Sequence, residues 1–292
     1  GAVGLDPEAL EPFVAGFGAP LLDDMSIEVR GDYAEVSVRT RGDTASLLGR
    51  ATALLEKADW GSPSGFEGRL QGLSGALTPS EVSVAATLRR EGADPSLRID
   101  LHGSWPADAI LEALVGSGLS GDAIAAYDNM LMPLPLRPVI GLGLCLFEGT
   151  TRYAIAFEQI YSKEESAALA TGIGGAAELI GVSAPQRAFV ARIHEILTPR
   201  RQNHTPVEVF LEPDRLVPEI AVHYPMIPAE LVLSALHAIY KREDHGARLG
   251  SIAGLLQVQQ DVVHRFSMVA RDEEPPLLAF ALQAEAPSAA QA

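Results

Sequence analysis

The sequence predicts a closed, ten-stranded antiparallel β-barrel wrapped by helices. It is made of five successive strand–strand–helix–helix units within one domain over residues 1–286. Three observations predict it. Segments of alternating apolar and polar residues come in pairs with turn residues between them. Helical patterns fill the gaps between pairs. The pairs start near residues 25, 80, 137, 206 and 262, a spacing of about 55 to 70 residues. Only the order of elements repeats, not the residues themselves.

The first pair occupies residues 25–30 and 33–40, around Gly31 and Asp32. The second occupies 81–90 and 96–104, joined through Gly92, Ala93, Asp94 and Pro95. The third takes 138–148 and 152–161, around Gly149 and Thr150. The fourth takes 207–212 and 216–224, around Pro213, Asp214 and Arg215, and the fifth takes 262–271 and 277–285. Each reads as a hairpin, because turn chemistry sits between two runs of period two. Among the helices, Leu47, Leu48, Ala51, Leu54, Leu55 and Ala58 share one face. Ser162 with Glu165, and Ser183 with Gln186, have the spacing of capping boxes. They open helices carrying Leu169, Ile173, Ala177 and Ile180, then Phe189, Val190, Ile193 and Leu197. Further helices are expected over 7–15, 107–117, 121–131, 229–241 and 247–258, with Pro106 and Pro228 suited to a first turn. Residues 287–292 read as a disordered tail.

Closure follows from the two faces of each hairpin. Ile27, Val29, Val36 and Val38 oppose Glu28, Arg30, Glu35 and Arg39. Val82, Val84, Leu97, Ile99 and Leu101 oppose Ser83, Arg89, Arg98, Asp100 and His102. Val207, Val209, Leu211, Ile220 and Val222 oppose Glu208, Glu212, Glu219 and His223, while Phe266 and Met268 oppose Arg265, Ser267 and Arg271. The apolar faces suit a helical jacket. A flat sheet would leave two open edges, whereas closure removes them and turns the polar faces into a lumen. Ten strands enclose more space than side chains alone fill, so that lumen should hold water or ligand. An open antiparallel sheet with helices on one face is the alternative. Parallel barrels and doubly wound sheets are excluded because strands come in pairs.

Composition narrows the partners. With 22 basic and 38 acidic residues the net charge is −16, which repels nucleic acid and anionic membrane surfaces. No apolar run reaches the roughly 18 residues of a membrane span. No leader pattern is visible. The sole cysteine, Cys145, excludes an internal disulfide framework and a multi-cysteine zinc site. A cytoplasmic location is therefore expected. Lysine occurs only at Lys57, Lys163 and Lys241, so cationic chemistry rests on arginine.

This arrangement of paired strands and helices around a polar lumen, from about Leu5 to Glu285, resembles the ABBA or PT-barrel fold of the soluble aromatic prenyltransferases. The resemblance is topological. It implies an allylic diphosphate in the lumen, held by cations from several strands, and an aromatic acceptor, small molecule or peptide, that attacks the allylic carbon. It implies phosphate contacts from Arg89, Arg98, Arg152, Arg265 and Arg271, and a proton-accepting carboxylate at Glu28 or Glu158. His102, His223, Gly141 and Gly143 would line the substrate space. No cofactor is implied beyond magnesium, which some members need. Glu28, Glu35, Asp100, Glu158, Glu208, Glu212 and Glu219 share the lumen phase with the arginines. A non-catalytic binding or scaffold barrel that has lost prenyl transfer is therefore the alternative.

Weaker signals remain. Asp100 and His102 share a face of one strand, and Glu219 and His223 share a face of another, the minimum for a metal site. Cys145 lacks a paired histidine in sequence. Gly172, Gly174 and Gly175 lie inside a helical pattern and point to close helix packing rather than a phosphate loop. Trp60 and Trp105 flank loops and fit core packing better than a lumen rim.

Overall fold

Each pair of alternating segments forms an antiparallel ladder in the computed structural model. The model describes residues 24–30, 33–42, 46–47, 49–50, 65–88, 96–134, 138–147, 150–197, 202–240, 262–271 and 277–284. In chain order come β1 (Asp24–Arg30), β2 (Tyr33–Gly42), α1 (Phe66–Ala76), β3 (Glu81–Leu88) and β4 (Ser96–Trp105). They are followed by α2 (Ala107–Gly116), α3 (Gly121–Leu131), β5 (Val139–Phe147), β6 (Thr150–Phe157) and β7 (Ile160–Ser162). Next are α4 (Ser166–Leu179), α5 (Ala184–Leu197), β8 (Gln202–His204), β9 (Val207–Glu212) and β10 (Arg215–Pro228). The chain continues with α6 (Ala229–Tyr240), β11 (Val262–Arg271) and β12 (Leu277–Ala284). Strands neighbour one another in the order β1-β12-β11-β10-β9-β6-β5-β4-β3-β2, and β1 pairs with β2 as well as β12. Each strand of this ring thus has two partners and presents no free edge.

The apolar phase of the wall meets the helices. Val84, Ile99, Leu142, Ile155, Val209, Ile220 and Met268 are fully buried. They form one hydrophobic cluster with Leu73 of α1, Ile110 of α2, Tyr127 of α3, Ile173 of α4, Ile193 of α5 and Val232 of α6. Burying each such aliphatic side chain contributes about 1.5–3 kcal/mol. This cluster fixes which face of β3 to β6 and of β9 to β11 looks inward, because a slip of one residue would send the whole apolar set into water.

Local signals explain several helix starts. Ser120 caps α3, its Oγ accepting from Ala123 N at 3.1 Å. The capping box before α4 is reciprocal: Ser162 N donates to Glu165 Oε2 at 2.7 Å, and Glu165 N donates to Ser162 Oγ at 3.3 Å. Gly175 of α4 lies against Pro133, where an added Cβ would stand 3.0 Å from the proline Cβ. This matches the close packing expected of that cluster at Gly175, whereas a Cβ at Gly174 would meet nothing within 4 Å. Trp105 is buried, in line with core packing, and Trp60 lies outside the described residues.

Three elements differ from the sequence expectation. Helix α1 was not anticipated, because Gly68, Gly72 and Gly75 dilute its helical pattern. Tertiary packing outweighs that cost: at Gly72 a Cβ would lie 3.2 Å from Gly116 O, so glycine lets α1 and α2 approach closely. The strand expected to run to residue 161 ends at Phe157. There the chain leaves the wall, and β7 pairs with β8 in a separate two-stranded sheet. Strand β10 runs past Tyr224 to Pro228, bending at Met226, whose φ is +51°. The expected helices at 7–15 and 247–258, most of that at 47–58, and the tail at 287–292 lie outside the described residues. Among the described residues no helix is long and apolar enough to cross a membrane.

Candidate functional site in the barrel lumen

The ladder register collects the charged residues on the phase opposite the helices. Arg98 of β4 stands beside Cys145 of β5, which stands beside Arg152 of β6. Glu208 of β9 stands beside Ala221 of β10, His223 beside Ser267 of β11, and Glu219 beside Arg271. The side chains of Arg98, Arg152, His223 and Arg271 keep 32%, 23%, 19% and 40% of their surface open. Solvent therefore reaches this inward phase.

The inner tier is one connected chain of polar contacts across four strands. Arg98 Nε donates to Asp100 Oδ1 at 2.7 Å and its Nη2 donates to Glu208 Oε1 at 2.5 Å. Glu208 Oε2 lies 3.4 Å from His223 Nε2, and His223 Nδ1 lies 2.9 Å from Ser267 Oγ. Asp100, Glu208 and Ser267 are buried. Burial alone would raise the Glu208 pKa, but the Arg98 charge and the His223 contact outweigh it and hold the carboxyl well below its ordinary range. Burial likewise opposes the charge on Arg98, and Asp100 and Glu208 more than offset it, so the guanidinium stays charged. Burial pushes the Cys145 thiol up to about 12; Arg98 opposes that shift, while Asp100 and Glu208 add to it. That thiol is no nucleophile at neutral pH.

Arg98 reaches Glu208 by lying over β5, and Gly143 makes this possible. An added Cβ there would stand 2.6 Å from Asp100 Oδ1 and 3.2 Å from Arg98 Nε. Gly143 was expected to leave a pocket wall; the space is instead filled by the ion pair. At Gly141 the nearest atom to an added Cβ is Ala156 Cβ at 3.5 Å, ordinary contact, so that position does leave room.

The second tier sits by the hairpin turns. Arg152 Nε donates to Glu212 Oε1 at 3.1 Å, and its Nη1 lies 3.8 Å from Glu219 Oε2. Arg271 Nη2 donates to Glu219 Oε1 at 3.2 Å. Arg215, which opens β10, donates to Glu212 Oε2 at 2.7 Å. Burial would raise the Glu212 pKa, but Arg215 and Arg152 bring it below its ordinary value.

The remaining predicted residues fall in separate places. Arg265 is half-buried on β11, two residues before Ser267. His102 Nε2 contacts Ser83 Oγ at 2.9 Å. Glu158 follows the end of β6, and its charge partner is His204 of β8 at 3.9 Å. The backbone of Glu28 pairs with Ala281 and Glu35. Arg89 lies outside the described residues. The four residues considered for a metal do not converge: Asp100 is held by Arg98, Glu219 by Arg271, and the two histidines by different serines. Among the described residues no group of three or more His, Cys, Asp and Glu is spaced to hold a metal ion.

One polar cluster was not foreseen. Outside the bore, His194 of α5 contacts Tyr224 Oη through Nδ1 at 3.1 Å, and its ring lies 5.5 Å from that of Tyr161. Tyr161 Oη in turn contacts Thr205 Oγ1 at 2.7 Å. Burial lowers the His194 pKa to about 4. The available signal was the phase of Tyr224, two residues past Val222 on the outward face.

Helices packed around an antiparallel barrel with a charged, solvent-reached interior define the ABBA or PT-barrel architecture, and this chain has that fold. It is similar to 5-dimethylallyltryptophan synthase from Streptomyces coelicolor, at 15% identity over 96% of this chain and 92% of that one, with a TM-score of 0.65. It is also similar to the prenyltransferase PriB in its ternary complex with L-tryptophan and dimethylallyl thiolodiphosphate. Identity there is 15% over 97% of this chain and 92% of that one, with a TM-score of 0.66. The NotF prenyltransferase matches at 11% identity over 98% and 91% of the two chains, with a TM-score of 0.69. No protein-family model and no curated protein sequence matches the chain.

Proposed function

We propose that this chain is a prenyltransferase-like transferase, a barrel of five strand–strand–helix–helix units whose lumen takes an allylic diphosphate beside an aromatic acceptor. The observation that carries this reading is the convergence of Arg98, Arg152, Arg265 and Arg271 on one solvent-reached inward phase. The tiers divide the work. Arg98 is locked by short contacts to two buried carboxylates and serves the wall. The contacts of Arg152 and Arg271 with Glu212 and Glu219 are longer, at 3.1 to 3.8 Å, and partly solvated. Phosphate oxygens can replace those carboxylates, since guanidinium forks bind them in the same geometry. Arg265 adds a further cation, and Arg89 is the fourth proposed contact. Gly141 leaves room for the acceptor, with His102 and His223 beside it. When the acceptor carbon bonds to the allylic carbon, diphosphate leaves and a carboxylate takes the ring proton; Glu28 and Glu158 are the proposed acceptors. The lumen carboxylates Asp100, Glu208, Glu212 and Glu219 are all engaged by arginines, so no magnesium ligand is assigned among them.

A second reading, a non-catalytic binding barrel, is favoured by the same ion pairs, because Arg98, Arg152 and Arg271 each already contact a carboxylate. Incubation with dimethylallyl diphosphate and indole- or phenol-bearing acceptors, with and without magnesium, separates the two. The transferase reading expects released diphosphate and a prenylated acceptor by mass spectrometry. Intact substrates after long incubation favour the binding barrel.

A further inference from the structure

The inner tier contains an arrangement that prenyl transfer does not require. Glu208 is clamped by Arg98 at 2.5 Å and is therefore an acceptor only. The ring nitrogen facing it, His223 Nε2 at 3.4 Å, must carry the proton of the neutral imidazole. That leaves Nδ1 as a lone pair, and it faces Ser267 Oγ at 2.9 Å. The hydroxyl consequently donates to His223. A hydroxyl on a base that is oriented by an ionised carboxylate is the arrangement that activates a serine, recognised by geometry and roles rather than by order in the chain. Ser83 and His102 also contact each other in the lumen, at 2.9 Å; the acids in register with them are Asp100, which is bound to Arg98, and Glu81.

We propose that Ser267 is a nucleophile in the lumen, with His223 as its base and Glu208 as the group orienting that base, acting on small carboxylic esters. Ser267 Oγ bonds to the carbonyl carbon while its proton passes to His223 Nδ1. The bond to the leaving alcohol oxygen breaks and that oxygen takes the proton from His223. Water then attacks the acyl-serine with the same base, releasing the carboxylic acid and restoring the hydroxyl. Ester and water give acid and alcohol, and no redox partner is needed. Negative charge on the carbonyl oxygen would be met by Arg265, two residues earlier on the same strand face. Gly141, Ala156 and Ala221, in register with Glu208, keep that side of the lumen free of bulk. This activity is independent of the transferase reading, and failure of diphosphate to bind does not touch it.

The test is covalent labelling of the whole chain with a small phosphorofluoridate, diisopropyl fluorophosphate. Peptide mapping should find one adduct on Ser267 and none there in Ser267→Ala. In His223→Gln, which keeps polar contacts to Glu208 and Ser267 but takes no proton, the labelling rate should fall about a hundredfold or more. No Ser267 adduct in a chain with an intact melting curve overturns the proposal, as does equal labelling of wild type and His223→Gln. If His223→Gln fails to fold, His223→Asn replaces it and must show the same fall in labelling rate. Labelling of the folded variant at the wild-type rate overturns the proposal equally.

Discussion

The inner and outer tiers of the lumen use the same residue types with opposite consequences. In the inner tier Arg98 meets two carboxylates that keep only 5% of their side-chain surface. In the outer tier Arg271 is 40% open and Arg215 is 61% open, while Arg152 keeps 23% and the carboxylates of Glu212 and Glu219 keep 13% and 10%. An ion pair withdrawn from water cannot be opened without leaving an uncompensated charge, whereas an open pair exchanges partners at little cost. Under the proposed function the inner tier fixes the shape of the bore, and the outer tier is the part a charged ligand would enter.

Breaking the inner tier should have the largest effect. Arg98→Met leaves Asp100 and Glu208 buried without their cation. Stability should fall by about 3–5 kcal/mol, read as a drop in melting temperature on the order of 10 °C. The pH dependence sharpens the assignment. Glu208 has a lowered folded pKa, so its stabilisation is complete above about pH 4.3, the free-glutamate value, and is lost as pH falls below it. Urea unfolding should show that acid loss in wild type and little of it in Arg98→Met.

Gly143→Ala probes the same tier without removing a charge. Its Cβ would stand 2.6 Å from Asp100 Oδ1, and a cost of about 1–3 kcal/mol is expected. Gly141→Ala, in ordinary contact, should melt like wild type. Comparing the two melting curves decides whether the ion pair or the strand itself needs glycine.

His194 supplies a reference outside both tiers. Its folded pKa of about 4 lies below the free value of 6.5, so its stabilising effect is complete above 6.5 and is lost as pH falls towards 4. Unfolding free energy should decline across that window, and His194→Gln should flatten the slope. The smallest effect belongs to the outer tier: Arg215→Ala should change stability by less than about 1 kcal/mol.

Period-two alternation made the barrel wall legible, because helices cover one face and a bore lies behind the other. Arg98, Glu208, His223 and Ser267 could all be placed inward on that basis. Their connections could not, because Arg98 reaches across β5 and β6 to Glu208 and no local pattern encodes such a diagonal. Glu158 has the inward parity and stands just past the end of β6, where the chain turns towards β7, so parity alone did not reveal its pairing with His204. Helix α1 was hidden by its glycines, and the value of Gly72 lies in contact with Gly116, a relation that appears only after folding.

The most direct test of the proposed division is thermal shift with dimethylallyl diphosphate on wild type and on Arg152→Ala/Arg271→Ala. Ligand at a hundred times its dissociation constant adds about 2.7 kcal/mol to stability. The wild-type melting temperature should therefore rise by several degrees, and the double variant should fold but show no rise. An unmoved wild-type curve at millimolar ligand, or an equal rise in both proteins, would contradict the assignment of the outer tier to diphosphate.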